Sequence, residues 1–283
     1  MNALAMIDVI KNIRDLPALP VIVVELMGAL DQEDSNTNAL ADRLSRDQAL
    51  SAKTLRLANS SFYGMQSKVT TIQQAIAVLG FNSIRTLVTT AALIGEFSSN
   101  KDVTFDFQVF WRHSLASAIC AKIVARHLNL NQDYAFMVGL LHDIGRLVLV
   151  TCSPEHYAKV ILYRDQKDCY LLDAEQAVLG TDHTIVGSAL AAHWKFPVIM
   201  QKAIANHHAP GTDDIGLLAA IAHFGDCVVH ALDVCGDDQD LVLPMSASIW
   251  KKFNLGQSEL AEIYHNTEIQ FDEASKILLK VQE

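Results

Sequence analysis

The chain has 283 residues, a formal net charge of −10, and 19% charged against 51% hydrophobic residues. That length and apolar content suit one large globular domain or two smaller ones and exclude a disordered chain. The acidic balance, with no Lys/Arg-rich block, excludes binding of duplex DNA or RNA through an overall cationic field, because phosphates need cationic neutralisation.

The N-terminal MNALAMIDVIKNIRD lacks the positive n-region, continuous apolar core and cleavage site of a signal peptide. No apolar run reaches the length of a membrane span uninterrupted; the nearest are broken by Glu96, or by His142, Asp143 and Arg146. The five cysteines, at 120, 152, 169, 227 and 235, form no close CxxC pair. Free thiols in a reducing cytoplasm are expected, and zinc–thiolate sites are not.

Apolar periodicity is helical nearly everywhere, and no run alternates with period two between turn signals. LPALP (16–20) ends a first amphipathic segment, with Pro20 suited to the first turn of the next helix. Ser35 or Asn36 is a candidate cap for a helix reaching about Arg46, and Asp47 for another reaching Asn59. SSFYGMQSKV reads as a loop. Thr71 and Gln74 have capping-box spacing, and Gly80 suits the helix stop. Asn82 is a candidate cap for the long apolar helix to about Phe97.

SSNKDVT (98–104) is polar and aperiodic, and marks the domain boundary. A helix over roughly 107–128 carries His113, and Asn131 caps the next, which runs toward His142. Ser153-Pro154 starts another helix. Asp173 and Asp182 are further candidate caps. Pro197 opens a helix ending at His207-His208, HAPGTDDIG is a loop, and a helix over about 215–235 carries His223 and Asp226. Two more helices are expected within 244–283. The domain organisation read from these signals is a helical subdomain over 1–100, a second over 101–240, and C-terminal helices over 241–283 packed on the second.

Seven residues stand out: His113, His142, Asp143, His183, His207, His208 and Asp226. A bare His-Asp or His-His dipeptide is close to chance, and any single histidine is more simply a surface or hydrogen-bonded core residue. His127, His156, His193, His230 and His265 are read in that way. Placement distinguishes the seven. His142-Asp143 interrupts the apolar stretch FMVGLLHDIGRLVLV, where burial without partners would be costly. Gly145 allows close backbone approach. His183 precedes the apolar face of Val186, Gly187 and Leu190. His207-His208 ends an apolar helix, and Asp226 lies inside IGLLAAIAHFGDCVVHAL. A helical bundle can converge such residues on one internal site. A nitrogen-rich set with two carboxylates suits Fe, Mn, Zn or Ni better than Ca or Mg. Seven ligands suit two ions bridged by Asp143 better than one, and such a pair could clamp a phosphate ester.

The order H…HD…H…HH…D resembles the HD superfamily of metal-dependent phosphohydrolases, particularly its HD-GYP phosphodiesterase branch. LPALP, DQALSAKTLRLANSSFYG (47–64) and TIQQAIAVLG (71–80) resemble, more narrowly, the HDOD domain of bacterial signalling proteins, over roughly residues 10–235. The resemblance implies an all-α fold, with an N-terminal helical subdomain beside an HD-like helical bundle, and a cytoplasmic role in bacterial signal transduction. It maps His113, His142, Asp143 and Asp226 onto the core HD ligands, and His183, His207 and His208 onto the additional ligands of the two-metal branch, with Asp143 bridging. Many HDOD proteins have lost these ligands and act as interaction modules; this chain keeps the pattern.

Three positions depart from the HD-GYP enzymes. Arg146 stands in place of the lysine of HDIGK, although arginine can still hold phosphate bidentately. HHAPGTDDIG lacks the GYP sequence. Val109 occupies the position of an acidic ligand one turn before the first histidine. Two roles follow as expectations. One is a metal-binding signalling module acting on a protein partner, with the loop around Asn59–Gly64 either part of the contact surface or a plain helix stop. The other is a phosphohydrolase acting on a nucleotide or cyclic dinucleotide, in which Asp143 and Arg146 serve the chemistry.

Overall fold

The structure is a computed structural model that describes residues 23, 37–60, 63, 68–97, 105–210, 216–234, 236, 241 and 244–279. LPALP, the candidate caps Ser35 and Asn36, the stretch 98–104, most of SSFYGMQSKV and residues 211–215 lie outside the described residues. Fourteen helices and no strand occur among the described residues. They fall into two compact units, one within Asn100–His265 and the other within Ala18–Ser99 together with Asn266–Glu283. The second division falls inside the last helix.

The smaller unit contains α1 (Thr37–Arg46), α2 (Gln48–Ala58), α3 (Ile72–Leu79) and α4 (Phe81–Phe97). The Asp47 carboxylate caps α2 by accepting from the Leu50 N–H at 2.9 Å. The Thr71 hydroxyl caps α3 by accepting from the Gln74 N–H at 3.1 Å. Gln74 reaches back one residue further than the expected box, and its Oε1 accepts from the Thr70 N–H at 2.9 Å. α4 follows Gly80 directly, so Asn82 lies inside its first turn rather than at the cap. Leu57, Ile72, Ile84, Leu87 and Leu93 form the core of this unit. Each such fully buried side chain contributes about 1.5–3 kcal/mol.

Asn59 ties the C-terminus of α2 to the far end of the following loop. Its Nδ2 donates to Leu55 O and Val69 O, and its Oδ1 accepts from the Val69 N–H, all at 2.8 Å. The backbone at Val69 is thereby satisfied by a side chain. This is the structural role open to the asparagine of RLANSSFYG.

The larger unit contains α5 (Phe107–His127), α6 (Gln132–Leu141), α7 (Ile144–Cys152), α8 (Pro154–Lys167), α9 (Leu171–Leu179), α10 (His183–His193), α11 (Val198–Ala205), α12 (Gly216–Leu232) and α13 (Ala247–Phe253), followed by α14 (Gln257–Leu278), which crosses the division. α5 packs on α6 and α12, α10 packs on α7 and α11, and α11 packs on α6 and α12. Trp111, Leu115, Ile119, Leu140, Leu141 and Phe224 fill its core. Asp106, Asn131 and Asp182 cap α5, α6 and α10 through their side chains. Ser153 precedes Pro154 at the first turn of α8 but makes no side-chain cap bond. Asp173 sits within the first turn of α9, whose cap residue is Tyr170. There its negative charge faces the positive end of the helix dipole without capping.

The stretch Gln132–Cys152 holds an 18-residue window long and apolar enough, by length and composition, to cross a membrane, where the sequence reading found none. Most of that window is buried inside the fold. It spans α6 and α7, with His142 and Asp143 at the join. Cys120, Cys152, Cys169 and Cys227 are free thiols.

Candidate metal centre

The site is built at helix ends. α6 stops at Leu141, His142 occupies the C-cap in helical geometry, and Asp143 is the N-cap residue of α7. An aspartate there would normally accept from its own first turn, but Asp143 makes no side-chain cap bond. Its Oδ2 accepts from Arg146 Nη1 at 3.1 Å, and its Oδ1 faces a ring of imidazoles. α7 and α10 approach so closely that a Cβ on Gly145 would lie 2.0 Å from the His183 carbonyl oxygen and 2.6 Å from Gly187 N. Only glycine allows that approach, which brings His183 beside Asp143.

His183 is the first residue of α10. Asp182 caps the helix through bonds from the Thr184 and Ile185 N–H groups at 2.9 and 3.1 Å. α11 ends at Ala205, so His207-His208 lies in the turn beyond the helix rather than at its last residues. His223 of α12 secures this turn. Its Nδ1–H donates to His207 O at 2.9 Å, and its Nε2 accepts from the Ser246 N–H at 3.3 Å. α5 supplies His113 and α12 supplies Asp226.

All seven residues singled out in the sequence meet in one buried cluster. His113, His142, Asp143, His183, His207 and Asp226 are buried, and His208 is partly exposed. Asp143 Oδ1 lies 3.5 Å from His142 Nε2, 3.3 Å from His183 Nε2 and 3.4 Å from His207 Nε2. His183 Nε2 and His208 Nε2 are 2.8 Å apart, and His113 Nε2 lies 3.2 Å from both His142 Nε2 and Asp226 Oδ1. Three residues that the sequence did not single out also belong here. His230, read from the sequence as an ordinary histidine, has Nε2 at 3.3 Å from Asp226 Oδ1. Glu175 Oε2 accepts from His183 Nδ1 and from its backbone N–H, and His223 positions His207. The i,i+4 spacing of Asp226 and His230 was the available signal for His230.

The proton positions follow from fixed partners. Gly139 O and Ile204 O can only accept, so His142 and His207 carry their protons on Nδ1, at 2.7 and 2.8 Å from those oxygens. Glu175 draws the His183 proton to Nδ1 in the same way, at 2.6 Å. The Nε2 lone pairs of His142 and His207 therefore point at Asp143 Oδ1, and His183 Nε2 joins them once it gives up its second proton. That buried carboxylate oxygen makes no hydrogen bond, and neither does the buried His207 Nε2. Acceptors converging on an acceptor call for a cation. Two donor atoms held about 2.1 Å from one ion sit roughly 3.0–3.4 Å apart, which is close to the spacings found here. Groups of residues able to hold an ion are Asp143, His183, His207 and His208; His113, His142 and Asp143; and His113, Asp226 and His230.

The electrostatics agree. Burial pushes the His142 imidazole down to about 4. Burial, then neighbouring imidazoles, holds His208 well below the usual histidine range. Both are thus neutral at pH 7, as a ligand must be. Burial opposes ionisation of Asp143 and Asp226, but the imidazoles around them hold both well below the usual carboxylate range. His183 differs: burial opposes its charge, yet the Glu175 and Asp143 carboxylates raise it to about 9, so without metal it holds a second proton that a bound ion would displace. A carboxylate on the outer nitrogen makes imidazole a stronger ligand. The residues fit a divalent metal.

Known proteins agree with this architecture. A Shewanella amazonensis protein named "putative phosphohydrolase" has a crystal structure that superposes with a TM-score of 0.76 at 29% identity, covering 95% of this chain and 97% of that one. An HDOD domain protein of unknown function from Geobacter sulfurreducens superposes with a TM-score of 0.79 at 24% identity, covering 96% and 98%, a likeness of fold. An uncharacterised protein of Treponema pallidum is 24% identical over 205 residues, which are 71% of this chain and 39% of that protein. The chain thus matches well under half the length of this curated relative. Residues 16–210 match the HDOD domain model, so the chain belongs to the HDOD family.

Proposed function

We propose that this chain is a cytoplasmic bacterial HDOD signalling module that keeps an HD-type centre for two transition-metal ions and acts on a protein partner. Asp143 joins the two positions. His113, His142 and Asp226 serve one, and His183, His207 and His208 serve the other. The observation carrying this reading is the buried Asp143 Oδ1, which has three imidazole Nε2 atoms within 3.5 Å and makes no hydrogen bond. The nitrogen-rich set favours Fe, Mn, Zn or Ni. Metal analysis of protein purified without chelator tests it, and close to two ions per chain are expected. No metal, even after reconstitution with Fe or Mn, would refute it.

A second reading is a phosphohydrolase acting on a nucleotide or cyclic dinucleotide. It is supported by Arg146, which places a guanidinium beside Asp143, and by the name of the Shewanella relative. Bound ions would supply Lewis acidity, polarising a phosphoryl oxygen and acidifying water. Arg146 would neutralise phosphate charge beside Asp143. HHAPGTDDIG, without GYP, weighs against an HD-GYP-type substrate loop. A screen of the metal-loaded protein with a generic phosphodiester and cyclic dinucleotides separates the readings. Turnover abolished in Asp143→Ala establishes the enzyme.

A further inference from the structure

We infer that His230 is itself a ligand of the ion on the His113–Asp226 side of the centre, and that it sets the metal preference of that position. The inference rests on the two-ion reading above. Asp226 and His230 are four residues apart on α12, so their heads share one face of the helix. Asp226 Oδ1 is the focus of that face. It lies 3.2 Å from His113 Nε2, 3.3 Å from His230 Nε2 and 3.9 Å from His142 Nε2. The arrangement repeats the one around Asp143 Oδ1, a buried carboxylate oxygen encircled by three Nε2 atoms. The His113 and His230 rings stand 4.6 Å apart between centroids and are tilted by only 38°. His113, Asp226 and His230 thus form a set able to hold an ion, as Asp143, His183, His207 and His208 do.

Adding His230 makes this position richer in nitrogen. That favours Fe, Ni or Zn over Mn, which prefers oxygen. It also leaves the ion fewer coordination places open for solvent or substrate, as a binding module requires and an enzyme does not.

The competing role is positional, with His230 merely donating a hydrogen bond to Asp226. His230→Gln separates the two, because an amide N–H can replace a donor but binds these metals poorly. Metal content after dialysis is expected to be close to two ions per chain in the wild type and close to one in His230→Gln, with added Mn refilling the vacated position more readily than added Zn. Two ions held with wild-type affinity in His230→Gln would overturn the assignment. A wild-type protein without metal would instead remove the two-ion reading itself. A measurement on the wild type needs no variant: the Co(II)-loaded protein with labelled histidines should show contact-shifted resonances from six rings, those of His113, His142, His183, His207, His208 and His230. Unshifted His230 resonances would overturn the assignment even if the variant failed to fold.

Discussion

Glu175 Oε2 accepts two hydrogen bonds from one residue, the backbone N–H of His183 at 2.8 Å and its Nδ1–H at 2.6 Å. The carboxylate is fully buried and comes from α9, eight residues before the histidine. It therefore sets the place of the α10 N-terminus, the orientation of the ring and the tautomer together. A metal-binding imidazole needs all three, with Nε2 unprotonated and aimed inward.

Glu175→Gln keeps the shape and removes the charge. The amide oxygen can still accept, but His183 becomes a weaker base. Metal affinity at the His183–His207–His208 position should fall by about 10–100-fold, measured by competition with a chelating dye. Unchanged affinity would show that Glu175 serves only to anchor the helix.

Gly145→Ala should be severe. The new Cβ would press on backbone atoms at 2.0 and 2.6 Å, which cannot rotate away as a side chain could. Overpacking of this kind costs about 1–3 kcal/mol, and relief by separating α7 from α10 would move His183 off Asp143. Urea denaturation of the metal-free protein should show the loss, and metal analysis the damaged site. A variant of wild-type stability would mean that the two helices are not held at this distance.

Removing the metal should destabilise the protein. Bound ions stabilise the folded state by about 2.7 kcal/mol when free metal is at 100 times the dissociation constant. Thermal melts with and without chelator should therefore differ by several degrees, and the difference should vanish in Asp143→Ala. Identical melts for the wild type would argue against a bound ion.

Asn59→Ala removes three 2.8 Å bonds, of which the two to Val69 close the loop after α2. A loss of about 1–3 kcal/mol is expected from the unsatisfied backbone, read by denaturant titration, with metal content unchanged. A neutral outcome would return the asparagine of RLANSSFYG to an interaction role.

Lys122 gives a pH signature away from the metal site. Burial pushes its ammonium down from 10.5 to about 8, with Asp133 opposing the shift. The unfolded chain then holds this proton more tightly than the folded one. The cost is present in full below pH 8 and disappears as pH rises toward 10.5, so this group makes stability increase with pH across that window. Lys122→Met should raise stability at pH 7 by about 1–2 kcal/mol and flatten the slope between pH 8 and 10. An unchanged slope would place the ammonium in solvent.

The helical composition and most helix starts were legible because each depends on a few neighbouring residues. Asp47, Thr71, Asn131 and Asp182 cap through bonds to N–H groups two or three residues along. Where two local rules competed, the sequence was ambiguous. Asn82 could cap, but Gly80 already ended α3 and α4 followed at once. Asp173 could cap, but the helix had begun at Leu171. The seven site residues were legible as a set because the order H…HD…H…HH…D sits on apolar helices, where unpaired polar groups are costly.

The sequence by itself determined an all-helical chain with buried histidines and aspartates on five of its helices or at their ends. Only the tertiary structure decided which of these atoms face one another, because the contacts join residues far apart in the chain. It turned the Asp143 carboxylate away from the backbone N–H groups of its own helix, gave one oxygen to the Arg146 side chain and left the other among imidazoles. It brought Glu175 and His223 into the support of the site, and it placed His230 beside Asp226, where the sequence held one more ordinary histidine.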